Sequence, residues 1–275
     1  MRTTNFEAKN MILIPIVIFL FALWLFLIAP KNRKEMEKYR KLYYAHRGLH
    51  NDERAENSMS AFKAAVDRGY GIELDIRLSQ DGKLVVFHDD TLDRVCGREG
   101  KVIDFTADEL AEFKLRGTDD GIPQFADVLK LVNGKVPFLV EIKEDPGVSA
   151  VSKAACEMLK GYNGEFIIES FNPLSLRVVK ENYPEIPRGI LSHRYYEYEE
   201  FRKPLFFALQ TLLFNFLCRP AFIAYDHHHA NSFALRFVRK FFRVPTLAWT
   251  VRSAEEERIA RKNGFEGIIF ENYIP

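Results

Sequence analysis

The stretch "GIELDIRLSQDGKLVVFHDD", residues 71–90, reads first as a strand and then as its return. Side chains along a strand alternate between two faces. Ile72, Leu74 and Ile76 therefore share one side, and Glu73 and Asp75 share the other. Two carboxylates about 7 Å apart on an inward face repel each other unless a cation lies between them. Asp81-Gly82 supplies turn chemistry, and the chain comes back alongside to end on His88.

The pattern of an apolar start and a polar end recurs outward from this stretch. Strands are expected at 42–46, 71–77, 84–88, 138–143, 166–170, 187–191, 222–226, 246–251 and 267–270. Helical patterns separate them at 58–68, 107–113, 125–131, 148–159, 174–182, 232–242 and 254–262. Strands alternating with helices predict a mainly parallel sheet. About eight such units in roughly 230 residues suit an α/β, TIM-type (β/α)8 barrel better than an open sheet. The 84–88 hairpin fits that scheme less easily.

Composition narrows the class. A net charge of +1 gives no basic field for nucleic acid, and 47% hydrophobic with 28% charged residues is an ordinary globular balance. Cys96, Cys156 and Cys218 are odd in number and widely spaced, which excludes a disulfide framework and a CxxC metal motif. "MILIPIVIFLFALWLFLIAP" (11–30) carries no charge and is bulky almost to its end, unlike the shorter core of a cleaved signal. It predicts one N-terminal transmembrane helix. Arg2 and Lys9 precede it, whereas Lys31, Arg33, Lys34, Lys38, Arg40 and Lys41 follow. That bias predicts a single-pass membrane protein whose catalytic domain is cytoplasmic. The expected organisation is a tail and anchor over 1–30, a basic juxtamembrane segment over 31–41 and a barrel over 42–275.

The polar strand ends carry the chemistry. "FLVEIKED" (138–145) repeats the paired arrangement with Glu141 and Lys143 on one face. Glu73, Asp75 and Glu141 offer three hard oxygen ligands, suited to Mg²⁺ or Ca²⁺. Plain ion pairing, Lys143 with Glu141, is the bland alternative. In "YYAHRGL" (43–49), His46 ends the first strand; with His88 it can form an acid–base couple. Arg47 adds a planar fork for a phosphate and Lys143 a point charge for the same anion. Gly48 would let backbone approach a ligand.

"HRG" (46–48), "EN" (56–57), "ELD" (73–75), "DGKLVVFHDDTLDR" (81–94), "EIK" (141–143) and "WTV" (249–251) together resemble the glycerophosphodiester phosphodiesterase family, over roughly residues 43 to 272. The resemblance implies a TIM-type barrel, a divalent metal ion and hydrolysis of a glycerophosphodiester to glycerol 3-phosphate and an alcohol. It implies metal-ligand roles for Glu73, Asp75 and Glu141, catalytic roles for His46 and His88, and phosphate contacts for Arg47 and Lys143. Glu56 matches the family's acidic position after the first strand. Two departures, Ala55 for a proline and Arg252 for an asparagine, bear on loop stiffness and on the substrate's far end. Two other functions stay open: lysophospholipase D-like action on lysophospholipids of a bilayer, and a non-catalytic lipid-binding barrel.

The remaining features are less decisive. Trp249 stacks on substrate glycerol or packs in the barrel. His227, His228 and His229 read as loop residues near the mouth. "RSAEEERIARK" (252–262) is a solvated helix face. The apolar "PLFFALQTLLFNFLCRP" (204–220) is either an outer barrel helix or an in-plane membrane contact.

Overall fold

In the computed structural model, which describes residues 2–31, 34–144 and 149–275 (backbone alone over 2–12), eight parallel strands close on themselves. The strands are β1 (Tyr43–Ala45), β2 (Gly71–Leu78), β3 (Leu84–Val86), β4 (Phe138–Ile142), β5 (Phe166–Ser170), β6 (Arg188–Ser192), β7 (Phe222–Asp226), β8 (Thr246–Val251) and β9 (Gly267–Phe270). Going round, β1 is followed by β2 and then β4 to β9, which pairs with β1 again. This is a TIM-type (β/α)8 barrel. The awkward hairpin is β3, which pairs antiparallel with β2 through Ile76↔Val86 and Leu78↔Leu84. His88 therefore reaches its place from an added hairpin, as the Asp81-Gly82 turn indicated, and not from the end of a barrel strand.

Alternation divides each strand between two apolar volumes. Leu74, Val140, Ile168, Ile223 and Ala248 face outward, into the layer shared with the helices. Tyr44, Leu139, Ile167, Phe222, Leu247 and Ile269 face inward and fill the barrel. Large and small residues interlock there: a Cβ on Gly189 would stand 2.2 Å from the Phe222 ring. Helices close the outside for local reasons. In Met59–Asp67, Ser58 Oγ accepts from the Ala61 N–H at 3.1 Å, and Ala61, Phe62 and Ala65 are buried. Ala254–Lys262 has the same serine cap at Ser253, three glutamates in its first turn and two cations in its last.

Residues 34–41 are part of the packed structure. Lys34–Tyr39 forms a 3₁₀ turn whose Met36 and Tyr39 are buried against the inner apolar layer. Lys38 pairs with Glu165 at 2.7 Å and Arg40 with Glu266 at 3.0 Å. Cations that look juxtamembrane in the sequence are thus tied to barrel carboxylates. The side chains of Arg2 and Lys9, residue Arg33 and the expected helix start at Val148 lie outside the described residues.

The expected membrane anchor and single-pass location are overturned. Among the described residues, no helix is long and apolar enough to cross a membrane. The N-terminal helix runs Arg2–Ile28. Its last turns also dock on the barrel. Ile28 is buried, the Asn215 amide donates to its carbonyl at 2.9 Å, and Trp24 packs on Phe233 and Phe237. The 204–220 stretch forms two short helices, Pro204–Gln210 and Asn215–Cys218, broken where Leu212 takes φ +61°. Leu212, Asn215 and Cys218 are buried, while Leu205 and Phe207 are exposed.

Because the inner layer has no slack at Gly189, Gly189→Ala should lower unfolding free energy by about 1–3 kcal/mol. Urea unfolding monitored by circular dichroism measures it, and an unchanged midpoint would refute the interlocked layer.

Candidate active site

The barrel's strand register assembles the site. Asp75 lies opposite Glu141 across β2 and β4, and Glu141 lies opposite Glu169 across β4 and β5. Oxygens of Glu73, Asp75 and Glu141 come within 4.8 Å of one another, all on buried side chains. Lys143 Nζ stands 2.7 Å from Glu141 and 3.2 Å from Asp75, so the expected ion pair is also present. Four buried carboxyl groups share two cations, Arg47 and Lys143, and Glu169 Oε2 has no hydrogen-bond partner among the described residues. Those are the conditions that a hard divalent cation relieves.

Titration behaviour follows from the same crowding. Burial raises Asp75, but Lys143, His88, Arg47 and the Asn57 amide outweigh it and hold the group well below the usual carboxylate range. Burial and the charges of Asp75 and Glu141 push Glu73 well up. Burial pushes Glu141 up to about 7, against the pull of Lys143. Glu169 is raised well above its usual value by burial and by Glu73 and Glu141.

β1 ends in a tight turn. The Arg47 N–H donates to Glu73 Oε2 at 2.8 Å, and the Gly48 N–H to the Glu73 carbonyl at 3.3 Å. Gly48 has φ +79°, and a Cβ there would stand 2.9 Å from Ala61 Cβ. Its smoothness admits the helix Met59–Asp67; it is not a clearance for ligand, which corrects the sequence reading. Arg47 donates to Glu56 at 2.7 Å and lies 3.5 Å from Asp75. Glu56 also receives Arg94, at 2.7 and 2.8 Å, and Arg94 reaches on to Asp89 at 2.6 Å. Burial raises Glu56, but the two arginines bring it below its ordinary value.

Each histidine is backed by a carboxylate. His46 Nδ1 lies 2.5 Å from Glu271 Oε2, and its Nε2 faces Glu73 at 4.0 Å. His88 Nδ1 lies 2.6 Å from Asp89 Oδ1. Burial lowers both imidazoles, His88 to about 4, and at His46 the bond to Glu271 opposes the shift. Burial would raise Glu271, yet its bond to His46 brings it down to about 2. An ionised carboxylate on Nδ1 holds the proton there and leaves Nε2 as the acceptor.

A cavity of about 190 Å³ at the strand C-termini gathers these groups. His46, Arg47, Glu73, His88, Glu141 and Lys143 line it, as do Glu169 and Trp249. Asp75 sits behind that wall, and Glu56 lies outside it. Trp249 stands edge-on to Phe171 at 5.4 Å, with its indole nitrogen buried and unpaired among the described residues. The three histidines 227–229 form a short turn away from the cavity, with His228 and His229 bonded to Asp226. The sequence reading gave no role to Glu271 and Glu169, nor to Asn57, Asp89 and Arg94 inside the motifs it quoted. The signal for Glu271 and Glu169 was the one already used elsewhere, a carboxylate at the polar end of an apolar strand.

Barrels of this type work where their strands end. Buried carboxylates beside two imidazoles and two fixed cations are a set of groups that phosphodiester hydrolysis can use. Comparison with known proteins narrows the class: the Glycerophosphoryl diester phosphodiesterase family matches residues 46–274, and the chain belongs to that family. It is 39% identical over 162 residues to a glycerophosphodiester phosphodiesterase of Caldanaerobacter subterraneus, covering 54% of this chain and 66% of that one. It is 27% identical over 235 residues to a putative glycerophosphodiester phosphodiesterase of Bacillus subtilis, covering 82% and 92%. Among solved structures, the glycerophosphodiester phosphodiesterase of Thermotoga maritima aligns with a TM-score of 0.66 at 27% identity, over 84% of this chain and 94% of that one. A phosphodiesterase of Oleispira antarctica, solved with the product sn-glycerol-3-phosphate, shares the fold with a TM-score of 0.70 at 21% identity, over 85% and 94%.

A cation entering the carboxylate cluster must displace the protons held by Glu73 and Glu141. Divalent-ion affinity should therefore climb between about pH 5 and 7, by up to about tenfold per unit for each proton displaced. Titration calorimetry in buffers of different ionisation enthalpy reads both affinity and proton release. A flat affinity across that range would contradict the assignment of protons.

Proposed function

We propose that the chain hydrolyses glycerophosphodiesters to glycerol 3-phosphate and an alcohol, with His46 and His88 as its acid–base pair. The observation that supports this most is the convergence of both histidines, each backed by a carboxylate, with Glu73, Glu141 and Lys143 on one cavity. At about 190 Å³ that cavity falls below the span typical of drug-sized ligands, so it suits a small polyol phosphate with the alcohol group projecting outward.

Glu73, Asp75 and Glu141 fit a divalent ion, Mg²⁺ or Ca²⁺, which when bound would neutralise phosphate charge and acidify a substrate hydroxyl. Arg47 and Lys143 hold the phosphate, and Trp249 flanks the glycerol. One histidine accepts the proton of the glycerol 2-hydroxyl through its free Nε2. That oxygen bonds to phosphorus as the bond to the alcohol oxygen breaks, and the other histidine protonates the departing alcohol. Water then opens the cyclic phosphate. Glu56 acts through others, fixing Arg47 and, by way of Arg94 and Asp89, His88.

The purified chain should release glycerol 3-phosphate from water-soluble diesters, stop in excess EDTA and recover with Mg²⁺ or Ca²⁺. Full turnover by metal-free protein would sink the metal assignment. His46→Ala and His88→Ala should each cut kcat by about 10²–10⁴ while KM moves far less. A preference for lysophospholipids in the same panel would favour the lipid-directed alternative, and inactivity on every substrate would favour a binding barrel.

A further inference from the structure

A second cavity lies beside the turn that follows β1, and Glu271, the partner of His46, is in its wall. It holds about 410 Å³ and is lined by His50 and Glu271 together with Gly48, Asn51 and Tyr273. Ligand atoms of His46, His50 and Glu271 lie within 4.8 Å of one another. His50 Nε2 is buried and has no hydrogen-bond partner among the described residues. The other oxygen of Glu271 is held by Arg252 Nε at 3.3 Å and the Asn272 amide at 3.2 Å, which leaves Oε2 aimed at the histidines.

Two imidazoles and one carboxylate beside a cavity form a different donor set from the all-oxygen cluster across the strand. Nitrogen ligands select zinc over magnesium or calcium, and three protein ligands with an open fourth position are an ordinary zinc arrangement. We propose that His46, His50 and Glu271 form a zinc site separate from the carboxylate cluster, and that zinc bound there inhibits the enzyme. Zinc on His46 Nδ1 breaks the contact with Glu271 and puts the ring's remaining proton on Nε2, the atom that would accept a proton from substrate. The inhibition rests on the catalytic reading of His46; the binding does not.

The test uses the full chain in saturating Mg²⁺. Zn²⁺ is titrated against both diester turnover and calorimetric binding, for the parent protein and for His50→Ala and His50→Gln. His50 makes no contribution to the proposed chemistry, so both variants should keep basal turnover. They should bind zinc about tenfold or more weakly, and inhibition should shift by the same factor. Zinc binding and inhibition unchanged in folded variants would overturn the site. Zinc that binds through His50 without inhibiting would instead count against His46 as the catalytic group. If neither variant folds, anomalous diffraction at the zinc edge on the parent protein decides. A peak among His46, His50 and Glu271 supports the proposal, and one confined to the carboxylates refutes it.

Discussion

Everything at the mouth of this barrel depends on acidic groups held out of water within one ligand's reach of each other. Glu73, Asp75, Glu141 and Glu169 come from three adjacent strands, and strand register alone brings them together. Isolated carboxylates in such a place would take up protons or spoil the fold. Here the charge is distributed unequally. Asp75 keeps it because Lys143, Arg47, His88 and the Asn57 amide all favour the ionised form, while Glu73, Glu141 and Glu169 are driven the other way. A group of like charges has become one fixed anion surrounded by acids that are ready to ionise.

The histidines follow the opposite logic. Burial makes each a weak base, and an ionised carboxylate on Nδ1 sets the tautomer. The carboxylates doing this, Glu271 and Asp89, arrive from β9 and from the hairpin after β3, far apart in sequence. Arg94 and Glu56 link the Asp89 pair to Arg47. Moving Arg47 therefore disturbs His88 through three ion pairs, Arg47–Glu56, Glu56–Arg94 and Arg94–Asp89, without touching it.

Much of this was legible in the chain. The bounds of β5, β7, β8 and β9 match their apolar runs because a strand covered on both faces needs unbroken hydrophobicity there. Glu73, Asp75 and Glu141 could be found because period-two spacing sets inward charges apart from outward aliphatics. Glu169 and Glu271 each stand alone at a strand end, where spacing says nothing, and only the pairing of strands gives them neighbours. The apolar run at 11–30 misled for a related reason. Hydropathy reports how much apolar surface a helix has and not what covers it, and the turns around Trp24 and Ile28 are partly covered by the barrel itself. The Lys38 and Arg40 charges read as juxtamembrane because their partners, Glu165 and Glu266, lie more than a hundred residues away.

Met36 and Tyr39 pack beneath the inner layer at the end of the barrel opposite the site. They cover that end, with the Tyr39 hydroxyl on the Phe166 carbonyl, and the cavity of the site opens at the strand C-termini. If hydrolysis follows the proposed cyclic-phosphate route, the departing alcohol and the incoming water use that mouth in turn. The rate at which the alcohol clears the opening can then set the lifetime of whatever remains bound behind it. On this view a substitution along the rim, at Phe171 or Arg252 for instance, changes the traffic through the mouth while leaving the bond-making groups where they are.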